Sequence, residues 1–222
     1  MKIKDKAPHP RKIKAMKAIL VFILAFVATL GYMSLEASTK QWMLPSTLLT
    51  DLSNVNGEFR YASLDERIEH ECVALTMFLE GRGKKVAAER AMIGMVIINR
   101  ADRPGRRWPS HGCDVVMQPG QFEPVSNNTD VLHALHLITL GDFDAAERYV
   151  LANYNSIDIA AYHLIRTEAY QLIKDRGESA NWVDADHFFA PKVLRNRSVP
   201  TPSWVNNMTV VASAGGHLFL KE

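Results

Sequence analysis

The sequence predicts an α+β domain, mostly helical, with a small antiparallel β element near its C-terminus and one N-terminal transmembrane helix in front of it. Three observations predict this. Apolar residues recur at helical spacing in five stretches between Ser63 and Lys174. Past Gly177 the pattern turns into short runs that read as strands. Upstream of both, Ala18 to Leu35 holds no charged residue and follows a strongly basic start.

That start sets the charge balance. Of a net charge of +2, residues 1–17 supply +6, from seven Lys/Arg against Asp5, which leaves −4 for the rest. A mildly acidic domain lacks the electrostatic footprint of a nucleic-acid binder, so no nucleic-acid partner is expected. The 18 uncharged residues from Ala18 to Leu35 extend about 27 Å as a helix, close to the roughly 30 Å hydrocarbon core of a bilayer. A basic flank stays in the cytoplasm, so the chain beyond Leu35 is expected outside it, in the periplasm or cell-wall space. The preferred reading is a single-pass signal anchor; a cleaved signal peptide ending near Ser34-Leu-Glu-Ala37 stays open. Residues 1–17 are then a cytoplasmic segment, 18–35 the anchor, 36–62 a linker and 63–222 the globular domain.

Within that domain, Ser63-Leu-Asp-Glu66 is a capping box, and Ile68, Cys72, Leu75 and Leu79 follow helical spacing behind it. A second helix spans about Val86 to Ala101, with Ala87, Ala91 and Gly94 on a face suited to close packing. Asp102 to Phe122 reads as a loop rich in Pro and Gly, in which Trp108, Gln118, Gln121 and Phe122 are candidates to line a sugar groove. Thr129 to Leu140 is a third helix, capped by Asn128 or Thr129. Asp142–Leu151 and Ile157–Lys174 are two more helices, read as a helical insertion over about 141–177. Strands are expected at Asp186–Ala190, Met208–Ala212 and His217–Leu220.

The chemistry begins at Glu80. The first helix runs into Phe78-Leu-Glu-Gly-Arg-Gly83, where Gly81 and Gly83 break it. A carboxyl with apolar neighbours is poorly solvated and holds its proton nearer neutral pH, as a general acid must. A solvated surface carboxylate is the alternative. Two cysteines, Cys72 and Cys113, permit one disulfide on the oxidising side of a membrane; two buried thiols are the alternative. Asp184 and Asp186 read as solvated loop charges, Arg100 as a complement to the helix dipole.

Leu79-Glu-Gly-Arg-Gly83, Val96-Ile-Ile-Asn-Arg100, Cys113 to Phe122, His187-Phe-Phe-Ala-Pro191, Pro202-Ser-Trp204 and Gly216-His-Leu-Phe219 occur in this order. Together they resemble the SleB-type cell-wall hydrolases, which cleave the glycan strands of peptidoglycan. The resemblance implies a lysozyme-like shape with a groove between a helical body and a sheet. It implies peptidoglycan as partner, no cofactor and no metal. Glu80 falls on the family's catalytic acid. Arg82, Gln121, Phe122, His187, Trp204 and His217 become candidate substrate contacts. Three positions depart from the family pattern: Gly81 replaces Ala, Lys84 replaces a second Glu, and Phe189 stands where His is frequent. One carboxylate without a nearby second favours a lytic transglycosylase over a hydrolase. The short anchor and single domain suit a phage endolysin.

Rival chemistries fail on spacing. His70-Glu71 opens a zinc-protease motif, but Ala74 stands where the second His belongs. His133 and His136 share a helix face without a third ligand, and no Gly-x-Ser-x-Gly or phosphate loop is present. Two classes remain: a peptidoglycan-cleaving enzyme working through Glu80, or an inactive, membrane-tethered wall-binding module.

Overall fold

The computed structural model describes residues 59–81, 87–105, 107–178 and 180–222. The basic segment, the anchor, the linker up to residue 58, Arg82 and Lys84 lie outside the described residues. Among the described residues, no helix is long and apolar enough to cross a membrane.

The body is built on α1 (Leu64–Gly81) and α2 (Ala87–Asp102). Ser63 caps α1 as the capping box requires, its Oγ accepting from the Glu66 amide at 3.1 Å, while Glu66 reaches back to the Ala62 amide at 2.5 Å. Both helices are buried almost all round, so neither is a surface helix with one wet face. Gly94 lets α2 come close: a Cβ there would lie 2.7 Å from Met77 Sδ on α1 and 2.8 Å from Leu172 Cδ1. The short helices α3 (Gly112–Met117) and α4 (Glu123–Ser126) fold the expected loop into the body, with Val115, Val116, Phe122 and Val125 buried.

α5 (Thr129–Thr139) is capped by Asn128, whose Oδ1 accepts from the Asp130 and Val131 amides at 3.0 and 3.3 Å. α6 (Phe143–Asn153) follows, capped by Asp142, and packs on α5. α7 (Ser156–Lys174), capped by Asn155, lies against α1 and α2 with Tyr162, Ile165, Ala169 and Leu172 buried. The two helices of the 141–177 stretch thus have different partners, and α7 is part of the core.

Three short strands form one antiparallel sheet in the order β1 (His187–Phe189), β3 (His217–Lys221), β2 (Thr209–Ala214), with an irregularity between Val210 and Ala212. The sequence reading omitted α8 (Pro191–Asn196) and the 3-10 turn Ser203–Asn207 between β1 and β2. Each has Pro at or before its first residue and too few residues for periodicity to register. The fold is therefore mostly helical with a small antiparallel sheet, which meets α2 through β1 and β2; Phe219 and Leu220 of its central strand are fully buried.

Candidate functional site

Glu80 is the penultimate residue of α1 and is half-buried. The turn before it is fixed by Phe78, wholly buried, whose ring meets the rings of Tyr154 at 5.0 Å and Tyr162 at 5.4 Å. The helix runs through Gly81, and the reason for glycine is a side chain. A Cβ at Gly81 would stand 2.6 Å from Cγ of Arg90, and Arg90 is clamped by Glu168 of α7 through bonds of 2.9 and 2.5 Å. The end of α1 is thereby seated on α2 and α7, which fixes where the Glu80 backbone stands.

Beside it opens a groove of about 410 Å³ lined by Leu79, Glu123, Pro124, Asn127, Asn128, Tyr154 and Arg197. Glu123, the carboxylate of that lining, is exposed and accepts from Arg197 Nη1 at 3.0 and 3.2 Å. A second groove, of about 460 Å³, lies between α8 and the β2–β3 turn and includes Lys192, Arg195, Gly215, Gly216 and His217.

A residue that the sequence reading missed, Glu89, stands behind this second groove. It is in the first turn of α2, fully buried, and accepts from His217 Nδ1. Its carboxylate occupies the space where a Cβ at position 215 would be, and Gly215 has φ 58°. The pair ties the β2–β3 turn to the start of α2. Helical spacing gave no sign of it, because the partner is 128 residues away.

A further buried cluster lies under β1. His187 donates from Nδ1 to Asp186 Oδ1 at 2.6 Å, and its Nε2 accepts from Arg107 Nη2 at 2.7 Å. Arg107 also pairs with Glu222 at 2.7 Å. The rings of Trp108 and Trp204 lie 5.7 and 5.2 Å from that of His187. Asp186 is not the solvated loop charge expected: it directly precedes β1, its amide donates to the Leu220 carbonyl at 2.9 Å, and only 5% of its surface is exposed. Burial would raise its carboxyl, but the His187 bond, the Glu222 amide and Arg103 outweigh that and hold it below the usual carboxylate range. Arg100, read as a dipole complement, is buried too. Its Nε donates to the Asp186 carbonyl at 2.7 Å and its guanidinium lies 4.3 Å from the Trp108 ring centre. Burial, which Asp186 opposes and Arg107 reinforces, pushes its pKa down to about 10.

The sequence-predicted site residues therefore separate. Leu79, the residue before Glu80, lines the first groove and His217 lines the second. His187 has both ring nitrogens bonded within the protein and meets Trp204, which also packs edge-on against Phe189 at 5.9 Å. That contact accounts for an aromatic ring at position 189. Gln121 is exposed, and Phe122 is wholly buried with its ring 6.1 Å from that of Phe188. Arg82 lies outside the described residues. Cys72 and Cys113 are joined in a disulfide, Cα–Cα 5.3 Å, that ties α1 to α3. His70, from the broken zinc motif, donates from Nε2 to the Arg166 carbonyl and accepts from the Tyr61 hydroxyl, each at 2.7 Å. Among the described residues no three His, Cys, Asp or Glu side chains gather as a metal site would need.

Comparison with known families gives one match: the model described as Cell Wall Hydrolase covers residues 86–220. The matched stretch runs from the start of α2 to β3, so it holds Glu89, Glu123, Asp186, His187, Trp204 and His217 and begins just after Glu80. No curated protein and no solved structure matches the chain.

Proposed function

Since the chain belongs to the cell-wall hydrolase family, we propose that it cuts the glycan strands of peptidoglycan with Glu80 as general acid. The observation that carries this is the placing of Glu80. It is half-buried, its neighbour Leu79 forms a groove wall, and the helix end that bears it is clamped through Gly81, Arg90 and Glu168. A glycan strand in that groove would present a glycosidic oxygen to the carboxyl. Proton transfer to that oxygen lets the bond break towards an oxocarbenium ion.

We further infer that the same carboxylate then takes the proton of the muramic O6 hydroxyl, which closes a 1,6-anhydro ring. Glu123 is engaged by Arg197, and Lys84 stands where the family has its next acid. The O6 hydroxyl belongs to the substrate, so its effective concentration is high. We infer that the reaction takes place outside the cytoplasm: the basic flank and uncharged run of residues 1–35 favour export, and the Cys72–Cys113 bridge suits an oxidising compartment.

Glu80→Gln keeps the side chain's shape and removes its proton. General acid catalysis contributes about 10²–10⁴-fold, so clearing of permeabilised cells should nearly vanish while circular dichroism stays unchanged. A folded Glu80→Gln protein that still lyses cells would refute the assignment. Mass spectra of the wild-type digest decide the mechanism. Anhydro ends, lighter by one water and resistant to borohydride, support the transglycosylase; fragments that all accept reduction would show hydrolysis. No cleavage by the wild type would leave the wall-binding module as the function.

A further inference from the structure

A third cavity, of about 220 Å³, sits between α5 and α6 and has a different character from the two grooves. Its floor is apolar, from Leu75, Val131, Ala134 and Val150. Its polar lining is Asn128, Asp130, Asn153 and two tyrosines, Tyr149 and Tyr154. Tyr149 and Asp130 face the same cavity, one from α6 and one from α5. Among the described residues no Lys, Arg or His lines the cavity, and Asp130 is the one formal charge of that lining. Cavities that take drug-sized ligands begin at about 300 Å³, so this one suits a single amino-acid side chain better than a run of sugars.

Its position ties it to the Glu80 groove. Asn128 and Tyr154 line both. Leu75 in the cavity floor and Leu79 in the groove wall are four residues apart on α1, one above the other on the same face. The cavity is thus a side pocket about one helical turn, roughly 5 Å, from the groove wall. A peptidoglycan strand carries a peptide stem on each muramic residue. A strand lying past Glu80 must place those stems to the side of the groove.

We propose that the α5–α6 pocket binds the peptide stem of the substrate, with the ammonium of its diamino acid at Asp130 and the aliphatic part over Leu75, Val131 and Val150. The amides of Asn128 and Asn153 supply partners for peptide groups. The proposal rests on the glycan-strand reading for its biological setting, but the pocket's chemistry can be tested apart from cleavage.

The test has two arms, both on the full chain. In the first, a free stem tripeptide ending in a diamino acid is titrated by calorimetry, with chitotetraose as the stem-free control. The tripeptide should bind, and Asp130→Asn should weaken it about fivefold, the upper range for one partly exposed charge pair. Chitotetraose binding should not change. In the second arm, cleavage of intact peptidoglycan is compared with cleavage of strands stripped of stems by an amidase. The wild type should prefer intact strands, and Asp130→Asn and Tyr149→Phe should reduce that preference by raising KM on intact strands alone. Absence of tripeptide binding, or an Asp130→Asn effect equal on tripeptide and chitotetraose, overturns the proposal. Cleavage of neither substrate, with tripeptide binding intact, would instead overturn the enzyme reading and leave this pocket standing.

Discussion

Opening the Cys72–Cys113 bridge should lower stability substantially, and the size follows from the loop it closes. The two cysteines are 41 residues apart, and the bridge joins the middle of α1 to α3. In the chain-entropy account, a tether across such a loop removes about 4 kcal/mol of freedom from the unfolded state. For a domain of this size each kcal/mol moves the melting point by about 2–4 °C, which gives a fall of about 8–16 °C. Thermal melts followed by far-UV circular dichroism would read it, comparing oxidised protein with protein unfolded and refolded in dithiothreitol. Cys72→Ala/Cys113→Ala should melt lower still, because both side chains are buried and their packing is lost as well. Loss of the tether should also reduce lysis at temperatures where the oxidised protein is still folded. If oxidised and reduced protein melt within about 2 °C of each other, the tether argument fails.

Gly215→Ala forces a side chain onto the Glu89 carboxylate at a position with φ 58°. The left-handed backbone costs about 1 kcal/mol and a disrupted buried hydrogen bond at least about 1 more, so a denaturant titration should show a loss of about 2 kcal/mol or more; an unchanged midpoint would refute the crowding. Asp186 has a carboxyl pKa depressed below the ordinary 3.8, so its contribution is present above about pH 4 and lost as pH falls through the folded value. Asp186→Asn should therefore melt lower at neutral pH and lose less than the wild type below pH 4; parallel melting curves would refute the coupling. Export predicts that a reporter active only outside the cytoplasm, fused at Glu222, is active; activity only as a cytosolic reporter would reverse the topology.

The helices were legible where a cap and a period coincide. Ser63, Asn128, Asp142 and Asn155 each stand at a helix start, and each accepts from amides of the first turn. Such signals are local, so one sequence contains them. The short elements were not legible, because α3, α4 and α8 have six residues or fewer and give periodicity too little to act on. The polar interior was the least legible part. Glu89, Asp186 and Arg100 look like ordinary charges at helix or strand ends, where solvent is the default. What buries them is the return of the chain near its C-terminus, which brings His217 to Glu89 and Asp186 to Arg100. Charges of this kind cost several kcal/mol to bury alone and become tolerable only with a bonded partner.

The two glycines that flank this machinery show why residue type and reason must be argued separately. Gly81 reads as a helix stop, yet α1 includes it, and the space a Cβ would need is filled by Arg90. Gly215 sits in the β2–β3 turn with φ 58°, and its missing Cβ also leaves room for the Glu89 carboxylate. In both cases the glycine and a charged residue of the first turn of α2 form one unit. Arg90 seats the end of α1, and Glu89 seats the hairpin of the sheet. Adjacent positions on a helix point about 100° apart, so two neighbouring residues can hold two different elements. The start of α2 thereby fixes the candidate acid on one side and the second groove on the other. An Ala at position 81, as the family pattern has it, would need Arg90 to leave its place against Glu168. The departure at 81 is therefore explained by its neighbour, and it does not by itself argue against activity.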